Sequence, residues 1–209
     1  MEVANNYQSA TDFLAKLDDD WAQLITVVGS CTFTPKPARE PYEALIRAVA
    51  YQQLNAKAGD AILNRLISIY GDEFPSPNQL LMTEFEALRA CGFSAKKIET
   101  IHGIANGALT SVVPTRNQAD AMSDEDLIRH LVTIKGIGRW TVEMLLIFTL
   151  ERMDVLPADD FGVARGYQRL KKLTVAPKRK ELSEIAQAWS PYRTIASWYL
   201  WRVPKLLAP

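Results

Sequence analysis

Cysteine and histidine are scarce in this chain of 209 residues, which has two of each. Cys31 and Cys91 lie far apart, so a four-cysteine iron–sulfur cluster is excluded and a disulfide framework is not indicated. With His102 and His130 as the only histidines, a His/Cys metal centre is not expected either. The chain is therefore predicted to work without a cofactor.

Long apolar runs are also missing. No run reaches the ~18 residues that a membrane span needs. The first residues carry neither the basic nor the apolar region of a secretory signal. We therefore expect no membrane association. In a bacterium, we expect the protein in the cytoplasm, associated with the nucleoid. In a eukaryote, we expect it in the nucleus.

An excess of charge of either sign is absent, because 24 basic residues balance 24 acidic ones. This balance argues against attraction of nucleic acid over the whole surface. The distribution is uneven, however: residues 161–180 contain seven basic side chains and no acidic one. Such a run is usually a solvated face, but its position directly after the motifs described below favours contact with nucleic acid.

Apolar residues recur at helical spacing along nearly the whole chain, and no segment shows sustained alternation. Prolines fall between the apolar stripes. Gly92 is placed to close one helix, while Ser94 and Ser123 are placed to start others. The fold class is therefore all-α. The pattern predicts helices over 42–54, 85–90, 96–109, 127–134, 140–150, 161–173, 181–189 and 192–201.

The segment Lys135–Arg139 joins two of these helices and reads Lys-Gly-Ile-Gly-Arg. Two glycines, two apart, permit a tight turn with positive φ and close backbone approach. The free N–H groups at the following helix start form an anion site, for which phosphate is the natural occupant, and Lys135 and Arg139 add positive charge. This is the pattern of a helix–hairpin–helix that grips a DNA strand without reading its sequence.

A bare Gly-x-Gly also occurs in plain helix–helix turns. Here the surrounding residues strengthen the helix–hairpin–helix interpretation. Apolar residues at the right spacing are expected to pack the two helices together and to anchor the hairpin against them. These positions are Leu131, Ile134, Ile137 and Leu145.

An aspartate pair follows the hairpin, and its second member, Asp160, lies 24 residues after Gly136. Before a predicted helix start, such a pair is most often an N-cap. A carboxylate can also act as an acid, a base or an electrostatic stabiliser. We expect Asp159 to be the cap or a structural partner, and for Asp160 a role as cap and a role in chemistry both stay open at this point.

The runs GIGRWT over 136–141 and LPADD over 156–160 resemble the helix–hairpin–helix (HhH-GPD) DNA glycosylase superfamily. Within it, they resemble the 3-methyladenine DNA glycosylase II (AlkA-type) branch, over roughly 42–203. The resemblance implies a monomeric, monofunctional enzyme that flips alkylated bases, chiefly 3-methyladenine and 7-methylguanine, out of double-stranded DNA. Asp160 would be the carboxylate that assists hydrolysis of the glycosidic bond.

The same resemblance implies two helical lobes with a DNA-binding cleft between them. We expect one lobe over about 1–55 plus 151–209 and the other over about 56–150. The residues before Tyr42 look helical. The β-rich N-terminal domain of longer members is therefore not expected.

Trp140 narrows the predicted chemistry. Bifunctional members of the superfamily place a Schiff-base lysine four residues after the first hairpin glycine, and here that position is Trp140. An indole cannot form the imine, so lyase activity by that route is not expected.

Aromatic side chains are implied to line the base pocket, because a cationic base gains from stacking on electron-rich rings. The implied pocket residues are Trp140, Trp201, Phe161, Tyr42 and Met144. For Trp201 core packing is an equal alternative, and we assign Trp189 and Trp198 to the core. Met144 and Gly162 are smaller than their counterparts in longer members, which leaves the lesion range open.

DNA contacts are implied on both sides of the hairpin. Leu54 is assigned to a wedge that fills the hole left by the flipped nucleotide, with ordinary core packing as its alternative. The full set is Gln53, Leu54, Asn55, Lys57, Lys135, Gly136, Gly138, Arg139, Thr141 and Arg165. The resemblance also implies a Na⁺ or K⁺ ion on the backbone carbonyls of Val132, Ile134 and Ile137.

Two other functions stay open at this point. One is a glycosylase of the same superfamily that acts on oxidised or deaminated bases. The other is a non-catalytic module that recognises damaged DNA through the hairpin alone.

Overall fold

The computed structural model describes residues 7–203. Within this range every regular element is helical, which confirms the all-α prediction. The helices are α1 (Gln8–Ala15), α2 (Asp19–Val28), α3 (Pro41–Tyr51), α4 (Ala56–Ser68), α5 (Pro77–Met82), α6 (Phe85–Cys91), α7 (Ala95–Leu109), α8 (Arg116–Asp120), α9 (Asp124–Leu131), α10 (Arg139–Phe148), α11 (Phe161–Leu170), α12 (Arg179–Ile185) and α13 (Arg193–Leu200). Over the same range, no helix combines the length and apolarity needed to span a membrane.

The chain divides into two compact units. Unit 1 comprises the described residues 7–35 and 151–203, and unit 2 comprises 36–150. The predicted first boundary, after residue 55, is wrong because α3 packs against α7 and α10 and therefore belongs to unit 2. The division after Leu150 coincides with the predicted one.

Unit 2 is built around α3, α7 and α10. The helix α3 buries one broad apolar face, including Leu45, Ile46 and Val49. The predicted helix starts are confirmed, since Ser94 and Ser123 accept hydrogen bonds from backbone N–H groups of their own first turns. Gly92 closes α6 in the left-handed region at φ +104°, also as predicted.

Unit 1 packs α2, α11 and α13 against one another, with α1 on α2 and α13. Its core contains Trp21 and Trp189, whose rings meet edge to face with centroids 5.5 Å apart. Trp189 and Trp198 are buried, which confirms their assignment to the core. The predicted helix over 181–189 is two elements, because α12 ends at Ile185 and a 3₁₀ helix, Ala186–Trp189, follows.

Candidate functional site

The hairpin between α9 and α10 occupies residues 132–138. Gly136 has φ +86°, and a Cβ at this position would lie 2.0 Å from Oγ1 of Thr100 on α7. Positive φ and close backbone approach are thus confirmed for Gly136.

Gly138 differs from its neighbour. Its φ is −99°, which any residue can adopt, so the prediction of positive φ is wrong for this glycine. It is the N-cap of α10, and a Cβ added to it would meet no atom of the protein within 4 Å. The fold itself therefore gives no reason for a glycine here.

The two basic side chains beside the hairpin are paired with carboxylates. Arg139 forms ion pairs with Glu125 and, at 2.9 Å from Nε to Oε1, with Glu143. Its hydrogen bonds to Glu125 raise the pKa of Arg139 further above its ordinary value, against the opposing effect of burial. The Nζ of Lys135 lies 2.6 Å from Oε1 of Glu99. The hairpin therefore carries less unbalanced positive charge than the sequence predicts.

Thr141 connects the hairpin to the turn after α3. Thr141 is only 1% exposed, and its Oγ1 accepts a hydrogen bond of 2.9 Å from Nε2 of Gln52. The same Nε2 donates to the carbonyl of Gly136 at 3.3 Å. The Thr141 side chain is therefore buried inside unit 2 and not offered to DNA, and a contact of Thr141 with DNA through its backbone stays a prediction.

That turn, residues 52–55, is the predicted wedge. The helix α3 ends at Tyr51 rather than at Leu54, and Gln53 adopts φ +58°. Leu54 is 42% exposed, so its alternative as core packing is wrong. Asn55 caps α4 by accepting a hydrogen bond from the Ala58 amide at 3.0 Å. Gln53, Asn55 and Lys57 are exposed, and their DNA contacts stay predictions.

Lys97 on α7 binds this turn, although nothing in the sequence had singled it out. Its Nζ donates to the carbonyls of Ala50 and Gln52, at 3.0 and 2.9 Å. These are C-terminal carbonyls of a helix, which lack intrahelical partners. Burial lowers the pKa of the Lys97 amine below its ordinary value. The contact therefore has a desolvation cost that its hydrogen bonds must offset.

We expect Lys97→Met to lower the free energy of unfolding by about 1–3 kcal/mol, because two carbonyls lose a charged donor. Lys96→Met is the matched control: Lys96 is exposed and precedes Lys97 on the same helix, so little change is expected there. Urea unfolding of the two variants measures the difference. Equal stabilities would show that Lys97 does not hold the turn.

Asp160 begins α11 in unit 1. Its Oδ1 accepts hydrogen bonds of 2.8 Å from the Val163 amide and of 2.8 Å from Nε1 of Trp201. Asp160 is therefore the helix cap, and the expectation that Asp159 fills this role is corrected. Asp159 is exposed, and its carboxylate lies 3.3 Å from Arg179, which fits its alternative as a structural partner.

Three further predicted residues belong to unit 1. Trp201 is half-buried and bound to Asp160, so simple core packing does not describe it. Phe161 is 75% exposed, and the Arg165 guanidinium lies over its ring at 5.5 Å from the centroid. The structure thus brings Phe161, Arg165 and Trp201 together around the start of α11.

The other predicted pocket residues belong to unit 2. Trp140 and Met144 lie half-buried on α10. Tyr42 donates its hydroxyl hydrogen bond to the Pro75 carbonyl at 3.1 Å, and its ring packs edge to face on Phe74. Packing against this loop accounts for Tyr42, and the pocket roles of all three stay predictions.

The implied cation would lie on three backbone carbonyls of the hairpin. The Ile134 carbonyl accepts a hydrogen bond from the Ile137 amide at 3.0 Å, which leaves it a second lone pair for an ion. Among residues 7–203, no group of His, Cys, Asp and Glu side chains is arranged to hold a metal. A monovalent ion on Val132, Ile134 and Ile137 stays a prediction.

Comparison with known proteins decides the family. Residues 46–191 match the HhH-GPD superfamily of base excision DNA repair proteins. The chain belongs to this superfamily. The match includes both the hairpin and Asp160.

Relatives of this HhH-GPD chain extend over nearly its full length. It is 44% identical to DNA-3-methyladenine glycosylase 1 of Schizosaccharomyces pombe, over 98% of this chain and 91% of the relative. It is 40% identical to the alkylbase DNA glycosidase-like protein mag2 of the same yeast, over 99% and 98%.

Solved structures show the same fold. The S. pombe 3-methyladenine DNA glycosylase Mag1, in complex with abasic DNA, matches with a TM-score of 0.89 and 45% identity, over 93% of this chain and 95% of that one. The DNA-3-methyladenine glycosidase of Bacillus halodurans matches with a TM-score of 0.75 and 33% identity, over 92% and 88%.

Proposed function

We propose that this protein is a monofunctional DNA glycosylase that excises alkylated bases, with Asp160 as its catalytic carboxylate. The observation that carries the proposal is the placement of Asp160. It stands at the start of α11, 24 residues after the first hairpin glycine, with its Oδ1 held by two N–H donors. The similarity over nearly the full chain to proteins named 3-methyladenine DNA glycosylases supports the substrate class.

Unit 2 supplies the contacts to DNA in this proposal. A helix N-terminus attracts anions, and the open space at Gly138, the N-cap of α10, leaves room for a phosphate to approach it. The exposed Leu54 fills the gap left by a flipped nucleotide. Gln52 joins the hairpin to the turn that carries Leu54, so both contact DNA in a fixed relation.

Asp160 acts on the flipped nucleotide. Alkylation at a ring nitrogen gives the base a positive charge, so the bond from C1′ to the base breaks with its electron pair leaving on the base. The sugar develops oxocarbenium character, which an adjacent carboxylate stabilises. Water then adds to C1′ and gives up a proton, and the products are the free base and an abasic site.

We further propose that the enzyme hydrolyses the glycosidic bond without cleaving the DNA strand. Trp140 stands where bifunctional members carry the Schiff-base lysine, and an indole cannot form the imine. We propose 3-methyladenine and 7-methylguanine as the preferred lesions and a monomer as the active form.

Wild-type protein is expected to release 3-methyladenine and 7-methylguanine from methylated duplex DNA. The abasic product strand should stay intact until alkali is added. Chromatography of the released bases and denaturing gels of end-labelled duplexes measure the two outcomes. Duplexes that contain 8-oxoguanine or uracil serve as controls and should yield little.

Three results would contradict the proposal in different ways. Release no faster than buffer would favour a non-catalytic DNA-binding module. Faster release of an oxidised or deaminated base would show that the enzyme acts on that class of lesion instead. Strand nicking before alkali would show that the enzyme has lyase activity.

A further inference from the structure

The second donor on Asp160 comes from a distant part of the chain. The Val163 amide belongs to the same helix turn, whereas the Trp201 indole lies 41 residues after Asp160, at the end of α13. The amide bond is the ordinary N-cap contact. The indole bond fixes the rotation of the carboxylate from a second direction. We infer that Trp201 is a positioning residue for Asp160, an inference that rests on the proposed function.

Two glycines on α11 make this contact sterically attainable. A Cβ at Gly162 would lie 2.8 Å from Cδ1 of Trp201 and 3.0 Å from Oδ1 of Asp160. A Cβ at Gly166, one turn further, would lie 2.1 Å from the carbonyl oxygen of Leu200. Glycine at 162 and 166 thus forms a slot in which the end of α13 lies against α11. By the family resemblance, Gly162 is smaller than its counterparts in longer members, and the indole of Trp201 fills part of the space that this leaves.

The beginning of α13 is anchored to the segment that leads to Asp160. Arg193 binds Asp154 with two hydrogen bonds of 2.7 and 2.9 Å. Bonds from Arg193 and Ser190 outweigh the effect of burial and hold the pKa of Asp154 below its ordinary value. Thr194 accepts a hydrogen bond from the Val155 amide at 3.1 Å.

The helix α13 and the residue after it therefore contact the segment 154–160 at both of its ends. Its first turn binds Asp154 and Val155, and its last residue is followed by Trp201 on Asp160. A short helix of eight residues is stiff, so it sets the distance between the two attachments. Of these contacts, the hydrogen bond from the Trp201 indole is the one made to the proposed catalytic carboxylate.

This role differs from that of a stacking wall for the base. A wall needs an aromatic face, which phenylalanine keeps, whereas positioning needs the indole N–H, which phenylalanine lacks. Trp201→Phe and Trp201→Leu should therefore lose activity alike. With enzyme in excess, we expect both to slow single-turnover release of 3-methyladenine by about 10–100-fold, the cost of a misplaced catalytic group.

Binding and folding serve as controls for that experiment. Affinity for duplex DNA with an abasic site should stay within about twofold of wild type, since the change acts on the chemical step. Trp198→Phe makes the same chemical change three residues earlier and should keep the wild-type single-turnover rate. If Trp201→Phe fails to fold, Gly162→Ala is the second variant. It retains the indole, displaces it from Asp160, and should slow release by the same factor.

A double variant separates the possibilities. In an Asp160→Asn background, Trp201→Phe should add no more than about a twofold loss, because there is no carboxylate left to position. A wild-type rate for Trp201→Phe together with a slow Trp201→Leu would identify a stacking wall and overturn the inference. Multiplicative losses in the double variant would overturn it too. If the wild type itself releases no alkylated base, the proposed function has failed and this inference with it.

Discussion

Replacement of Asp160 by asparagine is expected to slow release of 3-methyladenine by about 10²–10⁴-fold, the usual contribution of a catalytic acid or base. Asparagine removes the negative charge that stabilises the sugar cation. It keeps the cap of α11, because asparagine and aspartate are about equally good N-caps. Single-turnover kinetics and a thermal melt of the variant measure the two effects separately.

Asp159→Asn is the matched control for that variant. It makes the same change one residue earlier, on an exposed carboxylate whose ion pair with Arg179 is also largely exposed. Exposed pairs contribute about 0–1 kcal/mol, so activity and stability should both stay near wild type. Full activity in Asp160→Asn, or a large loss in Asp159→Asn, would mean that the catalyst is misassigned.

Gly136→Ala is expected to destabilise the protein. Alanine at φ +86° costs about 1–2 kcal/mol for the left-handed backbone. Its methyl group would also fall 2.0 Å from Oγ1 of the buried Thr100, and overpacking of this kind costs about 1–3 kcal/mol. Equilibrium unfolding in urea should therefore show a combined loss of about 2–5 kcal/mol.

Gly138→Ser tests the other hairpin glycine. Serine is a favoured N-cap, and the open space around Gly138 accepts its side chain, so stability should hold or rise. Affinity for abasic-site DNA should fall about tenfold, or ~1.4 kcal/mol, because the new side chain stands where a phosphate approaches. Unchanged affinity would show that the phosphate binds elsewhere.

Local signals predicted much of this structure. Ser94, Ser123 and Gly92 mark helix ends because capping depends on a few neighbouring residues. The hairpin follows from the spacing of its glycines and apolar residues, whereas the catalytic role of Asp160 is implied by the resemblance to the HhH-GPD superfamily. For Leu54 the local pattern left a wedge and core packing as alternatives, and its 42% exposure decides against the core.

Contacts between distant residues could not be predicted in the same way. Gln52 meets Thr141 across 89 residues, and the sequence shows only that a polar side chain occupies an otherwise apolar face. Arg139 was expected to face phosphate because its charge is visible in the sequence, whereas its carboxylate partners become apparent only in the folded chain. Gly162 and Gly166 lie four residues apart on α11, but only the folded chain shows that the end of α13 packs against them.

The slot at Gly162 also restricts how this enzyme could evolve. Any side chain at 162 would enlarge one wall of the slot and displace the indole from Asp160 at the same step. A change of substrate range through residue 162 would therefore cost activity, and a smaller residue at 201 would cost it too, because that change removes the indole N–H. The two positions are expected to be epistatic: either first substitution loses the contact with Asp160, and the second adds little further loss.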